Sequence, residues 1–373
     1  MYVAHLTLHD FRSWTDLDLE LGAGTTSLVG RNGQGKTNVV EAVDYLSRLS
    51  SHRVAADAPL VRTGCSQAVV RAAVVRDDRR AVLEVEINPG RSNRARINSS
   101  PLPRARDLLG VLRSVVFAPD DLALVKGDPG ERRRFLDDLL VQRSPRYAGT
   151  RADYDRVLKQ RNSLLRSAGV TKGSRDAALA TLEVWDERLA ELGTEIMAAR
   201  TQLIAELTPL LGKAYEAVAR GAHRDDALLT YRPSFEDAQG KVAAFVAELE
   251  RRRKDEFDRG LTLVGPHRDE MLCSLGDLPV KGYSSHGESW SFALALRLGS
   301  YELLRAPTSG DADDPVLVLD DVFAELDAGR RGQLAELVSG AEQVLVTAAV
   351  PEDIPEQLRG RRLSVADGQV RDA

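Results

Sequence analysis

Alternation of apolar and polar positions is the first strong pattern along the chain. Val3 to Leu8 alternates, and Asp16-Leu17-Asp18-Leu19-Glu20-Leu21 does so cleanly. Both predict half-buried strands, with Asp10 to Trp14 as the turn between them. Thr25 to Val29 predicts a short buried strand, and Asn38 to Leu49 has apolar residues at helical spacing. Ala68 to Val75 and Ala81 to Ile87 predict a further strand pair around the polar turn Asp77-Asp78-Arg79-Arg80. Asn88-Pro89-Gly90 marks another turn, so the chain up to Phe117 is the β-rich half of an α/β domain.

The texture changes at Pro119. From Asp120 to about Arg259 the pattern is mostly helical and heavily charged, with interruptions at Ser144-Pro145, Gly169 to Gly173, Pro209 and Arg232-Pro233. Its longest amphipathic run is Leu182 to Leu211, with Trp185, Leu189, Leu192, Ile196 and Leu203 near helical spacing. Beta character returns at Leu261-Thr262-Leu263-Val264, followed by Gly265-Pro266-His267-Arg268-Asp269. A loop at Tyr283 to Ser289 leads into an apolar helix, Trp290 to Leu304, and a polar linker, Ser309 to Asp314. The run Val316-Leu317-Val318-Leu319 predicts a buried central strand; the helix Ala328 to Leu337 and the strand Gln343 to Thr347 complete an alternating β/α pattern. The expected division is 1–118 and 261–373 as two halves of one α/β head, with 119–260 as a helical arm inserted between them.

Between the strand ending at Val29 and the helix beginning at Asn38 lies Gly30-Arg31-Asn32-Gly33-Gln34-Gly35-Lys36-Thr37. This is G-x-x-x-x-G-K-T in the strand–loop–helix setting that a phosphate-binding loop requires. Gly30, Gly33 and Gly35 allow backbone angles and close approaches that a Cβ would block. The loop N–H groups and the helix N-terminus direct partial positive charge at phosphates. Lys36 would reach the β- and γ-phosphates, and the Thr37 hydroxyl would bind Mg²⁺. The loop predicts a protein that binds a nucleoside triphosphate with Mg²⁺.

Composition narrows the setting. The 373 residues carry a formal net charge of −5, so a wholly basic nucleic-acid coat is disfavoured, although a local basic patch is not. No apolar run approaches the roughly 20 residues that span a bilayer, which predicts no membrane association. The two cysteines, Cys65 and Cys273, are far apart and fit a reducing, cytoplasmic setting.

Val316 to Leu319 ends in Asp320-Asp321, the Walker B arrangement. Asp320 would hold Mg²⁺, directly or through water, and Asp321 could orient or deprotonate the attacking water. Ser285-His286-Gly287-Glu288-Ser289 at a helix start resembles the signature loop of ABC-type ATPase heads. In that superfamily the serine, the glycine and the helix N-terminus of one subunit meet the γ-phosphate held by another. Ala324-Glu325-Leu326-Asp327 resembles the D-loop, which crosses the subunit interface. The resemblance implies an ABC-type head of mixed sheet, with Ser285 and Gly287 acting across an ATP-dependent homodimer.

A narrower resemblance rests on several segments in order. These are Phe11-Arg12, Gly30 to Asn38 with Glu41, Ser51-His52-Arg53, and Gly265-Pro266-His267-Arg268-Asp269. The most specific are Pro119-Asp120-Asp121-Leu122, Lys126-Gly127-Asp128-Pro129 and Arg132-Arg133-Arg134-Phe135-Leu136-Asp137. Together they resemble the RecF family of DNA repair proteins. That resemblance implies a weak DNA-dependent ATPase that binds double-stranded DNA near single-strand gaps. It further implies action with RecR and RecO to help RecA displace single-strand-binding protein. It also implies that Arg12 and Asn38 contact nucleotide, and that His267 and Arg268 have a role near the head without being catalytic.

The chain departs from related heads in three places. His286 and Glu288 replace other residues of the signature loop, Asp321 replaces the usual glutamate, and Thr347-Ala348-Ala349 lacks the switch histidine of transporters, with Thr347 a partial substitute. These departures suggest slow hydrolysis and a timing device. Candidate DNA contacts are Arg91 to Arg106, Arg132-Arg133-Arg134 and Arg251-Arg252-Arg253-Lys254. The missing histidine and the large arm disfavour a transporter subunit. An arm of this length is too short for a long coiled-coil chromosome-organising protein, and no additional acidic metal cluster supports a nuclease.

Overall fold

The computed structural model describes residues 1–168, 172–219, 224, 226–235, 241–306 and 314–373; the side chains of 168 and 172–178 are outside that description. Of the expected break at Gly169 to Gly173, residues 169–171 lie outside the described residues and 172 and 173 begin a helix; the linker residues 309–313 also lie outside.

Two six-stranded sheets build the head. The first is antiparallel and begins with the hairpin β1 (Tyr2–Phe11) and β2 (Trp14–Glu20). The second contains β3 (Gly24–Val29), the strand before the phosphate loop. The antiparallel sheet continues with β4 (Ala68–Arg76), β5 (Arg79–Ile87), β6 (Arg94–Ile97) and β7 (Ser100–Pro101), in the order β2-β1-β4-β5-β6-β7. The second sheet takes β8 (Ser114–Phe117) from the N-terminal half. Chain order then passes through β9 (Ala227–Arg232), β10 (Glu270–Leu275) and β11 (Leu278–Pro279), which form a small sheet of their own. β12 (Val316–Asp320), β13 (Gln343–Ala348), β14 (Arg361–Ala366) and β15 (Gln369–Asp372) complete the second sheet, ordered β15-β14-β3-β13-β12-β8. All its pairings are parallel except β14 with β15.

The pleat of β12 explains the layers. Val316 and Val318 belong to one core with the helix Lys36–Arg48 and the inner face of the antiparallel sheet. Leu317 and Leu319 point the opposite way, into a core shared with the helices His286–Arg305, Lys172–Val218 and Ala328–Val338. All four are fully buried, which is why the strand reads as a continuous apolar run without alternation. Burying each side chain contributes on the order of 2 kcal/mol.

The inserted segment and the stretch just after it differ from their expected form in three respects. Pro209 lies inside the helix Lys172–Val218 and does not end it. Proline cannot donate to the preceding turn, but Leu203, Leu207 and Leu211 are buried in the core shared with the helix His286–Arg305 and hold the axis through the defect. The segment also contains a strand, β9, which pairs antiparallel with β10 from Glu270↔Arg232 to Leu275↔Ala227. Leu261 to Val264 is not a strand. Side chains satisfy its backbone in place of a ladder: Thr262 N–H donates to Asn162 Oδ1 at 2.7 Å and Leu263 N–H to Glu256 Oε1 at 2.8 Å. The break at Ser144-Pro145 separates the helices Pro129–Arg143 and Tyr147–Ala168. Among the described residues no helix is long and apolar enough to cross a membrane.

Candidate nucleotide-binding site

The phosphate loop joins β3 to the helix Lys36–Arg48 at the end of the parallel sheet, and its shape is set by neighbours on both sides. A Cβ on Gly30 would lie 2.2 Å from the Val365 carbonyl oxygen of β14, so only glycine fits there. Gly35 has φ +94, and a Cβ would lie 2.9 Å from both Ser13 Oγ and Trp14 Nε1. Trp14 Nε1 donates to the Gly35 carbonyl at 3.1 Å, bracing the loop from the first hairpin. Gln34 accepts the Asp367 N–H at 2.8 Å, while Arg31, Asn32 and Gly33 are exposed. The buried Lys36 ammonium donates to the carbonyls of Gly30, at 2.7 Å, and Arg31, at 3.2 Å. Its charge therefore sits inside the curl of the loop.

The two halves of the chain meet at Asp320. Thr37 Oγ1 donates to Asp320 Oδ1 at 2.9 Å, and Thr347 Oγ1 donates to the same oxygen at 2.6 Å. Thr347 also accepts the Asp321 N–H at 2.9 Å, at the point where Asp321 turns into the left-handed region with φ +49. Burial pushes the Asp320 carboxyl up, against the two hydroxyl donors, and the Asp321 charge adds to the rise. A buried carboxylate satisfied only by hydroxyls is well suited to receive a cation. Among the described residues no group of three or more His, Cys, Asp or Glu could hold a metal. Thr37 and Asp320 fit Mg²⁺, which takes few protein ligands and fills its octahedron with phosphate oxygens and water.

Arg12 is placed beside the loop but is engaged with protein. Its Nε and Nη2 donate to the two oxygens of Glu41, at 2.9 and 2.5 Å, and Nη1 donates to the Pro59 carbonyl at 3.0 Å. Glu41 is fully buried on the loop helix, and also receives Ser51 Oγ at 2.5 Å and Arg53 Nη1 at 3.1 Å. Arg53 and Ser13 in turn bond Asn38. The scattered segments around Arg12, Glu41 and Ser51 to Arg53 are thus one network.

Ser285 caps the helix His286–Arg305. Its Oγ accepts the Glu288 N–H at 3.2 Å, and Glu288 Oε2 accepts the Ser285 N–H at 2.8 Å. Glu288 at the glutamine position therefore preserves the cap, and the backbone N–H of Ser285 holds its carboxyl below the usual range. Ser285 and His286 are exposed. Asp327 caps the helix Ala328–Val338, and Arg330 of that helix reaches the signature loop, a contact that local sequence patterns could not reveal.

Two of the basic runs make ion pairs and hydrogen bonds within the chain, with Arg134, Arg251, Arg252 and Lys254 still reaching solvent. Arg132 is buried and bonds Glu270 and the carbonyls of Leu124 and Gly127; Arg133 bonds the Asp269 carbonyl; Arg134 pairs with Glu131. Arg251 and Arg252 pair with Glu248, and Arg253 with Asp186. Arg91, Arg94 and Arg96 line a surface cleft of about 620 Å³ at the edge of the antiparallel sheet. Arg94 is 74% exposed in its side chain. His267 is half-buried, bonded to Tyr154 Oη at 2.7 Å and the Thr262 carbonyl at 3.2 Å, which fits a structural role.

Comparison with known proteins agrees with this architecture. The family described as RecF/RecN/SMC N terminal domain matches residues 2–363. The chain is 61% identical to the DNA replication and repair protein RecF of Nocardioides sp. and 57% identical to that of Streptomyces avermitilis, covering 99% of each pair. Among solved structures it resembles the recombination mediator RecF of the RecFOR pathway bound to ATP, with TM-score 0.88 and 26% identity over 100% of this chain and 97% of that one. The Smc head of Pyrococcus furiosus, with TM-score 0.55 and 15% identity over 100% of this chain and 96% of that one, shares the fold.

Proposed function

Because the chain belongs to the RecF family of DNA replication and repair proteins, we propose that it is an ATP-gated DNA clamp of recombinational repair. ATP bridges two copies, each supplying its phosphate loop to one nucleotide and its signature loop to the other. The observation that carries this reading is the Thr37–Asp320 hydrogen bond, which brings the nucleotide and metal motifs to one point. Lys36 and the loop N–H groups, with Gly30 to Asn38, bind the phosphates, and Arg12 adds charge from a position fixed by Glu41. Thr37 and Asp320 would hold Mg²⁺, which neutralises phosphate charge when bound. Asp321 orients and deprotonates the attacking water. Ser285 already accepts an N–H, so its own hydroxyl proton is free to reach the partner's γ-phosphate, with Gly287 beside it.

In this reading hydrolysis is slow, weak and DNA-dependent, and it releases duplex DNA bound near single-strand gaps. The edge cleft around Arg91 to Arg96 contacts phosphates without reading bases. The solved relative belongs to the RecFOR pathway; by that likeness the clamp acts with RecR and RecO to promote RecA loading on single-stranded DNA, in the cytoplasm. The test is complementation between two inactive variants. Lys36→Arg chains keep their signature loop and Ser285→Arg chains keep their phosphate loop, so mixing them restores one composite site and some hydrolysis. Mixtures no more active than the separate variants would refute the shared site.

A further inference from the structure

Gly287 and Arg330 belong to different segments, the signature loop and the helix after the D-loop, yet they are in contact. A Cβ on Gly287 would lie 2.7 Å from Arg330 Nη2 and 3.3 Å from Cζ, so glycine leaves room for the guanidinium against the loop. The same guanidinium has two further anchors. Its Nε donates to Ser291 Oγ at 2.9 Å on the signature helix, and its Nη1 pairs with the Asp327 carboxylate. Asp327 is itself fixed, since it accepts the Arg330 N–H at 2.9 Å as the cap of its helix. One planar group therefore touches the signature glycine, the signature helix and the D-loop acid. Only arginine offers donors in three in-plane directions.

We propose that Arg330 is a positioning residue that clips the signature loop and the D-loop into a single docking unit. The two loops then arrive at the partner's nucleotide with their spacing already set. On this account Gly287 is glycine for the clip as well as for any approach of phosphate. The inference rests on the shared-site reading above, and deepens it by naming the residue that couples two interface loops.

A double-mutant cycle tests it, using the full-length chain with Gly287→Ala, Arg330→Ala and both together. Each single change should weaken ATP-driven dimerisation about tenfold or more, the scale of one charge-assisted hydrogen bond, while ATP affinity of the monomer stays unchanged. The double variant should lose clearly less than the two single losses combined, because the alanine methyl then has no guanidinium to displace and only its cost at the phosphate remains. Arg330→Lys should not restore the dimer, since an ammonium cannot hold all three contacts. Without nucleotide, hydrogen exchange in Arg330→Ala should rise together at 285–288 and 324–328.

Equal cost of Gly287→Ala with and without Arg330 would overturn the clip, as would exchange that rises only in the D-loop. If the unaltered chain shows no ATP-driven dimer, the shared-site reading falls. The exchange result still decides whether the clip exists.

Discussion

Thr37 and Asp320 stand 283 residues apart in sequence and 2.9 Å apart in space, hydroxyl to carboxylate. The contact exists because β3 and β12 are both strands of the parallel sheet, separated only by β13, and both end at the same rim. Thr347 on β13 supplies the second hydroxyl, so β12, β13 and the helix that follows β3 converge on one carboxyl oxygen.

Asp320→Asn keeps the shape of that contact but removes the charge a cation would meet. Hydrolysis should fall by about a hundredfold or more, the range seen when one electrostatic stabiliser is lost. ATP binding measured in excess chelator should change by less than about twofold, because the phosphate loop is untouched. A steady-state assay beside nucleotide titration checks both; retained hydrolysis would remove Asp320 from the metal site.

Glu41 carries Arg12, Arg53 and Ser51 while fully buried. Glu41→Ala leaves Arg12 largely enclosed without its carboxylate, and should cost about 3–5 kcal/mol of stability. Chemical denaturation of the nucleotide-free chain measures it. A loss under about 0.5 kcal/mol would place the network in the class of exposed pairs.

Burial lowers the His267 imidazole to about 4, with the charges of Arg268, Arg133 and Arg161 adding to the shift and the Thr262 carbonyl opposing it. The folded state keeps this ring neutral while the unfolded chain protonates it below its ordinary value near 6.5. Stability is therefore unaffected by His267 above about pH 6.5 and declines as pH falls towards 4, by about 3 kcal/mol in all. His267→Gln should flatten that acid limb relative to the unaltered chain. Parallel slopes for the two proteins between pH 4 and 6.5 would contradict the assignment.

The elements that carry nucleotide chemistry were legible because each is local. The phosphate loop needs only its own residues and flanking periodicity, and Val316 to Leu319 announces a strand buried on both faces. What escaped depends on distant partners. Leu261 to Val264 has strand composition, yet Asn162 and Glu256 take its backbone donors. Pro209 carries a helix-breaking signal that packing against the signature helix overrides. In the Arg132 to Arg134 run, Glu270 holds Arg132 and the Asp269 carbonyl holds Arg133, while Arg134 stays half-exposed beside Glu131. The Arg330–Gly287 contact has no sequence signature, since it joins two loops through a side chain.

The most direct test of the clamp is binding to gapped duplex DNA with ATP, with ADP and without nucleotide, each across a salt series. Tight binding with ATP alone, weakening linearly with the logarithm of salt, is the expected result, and its slope reports the number of phosphate contacts. Equal affinity in all three states would contradict an ATP-gated DNA clamp.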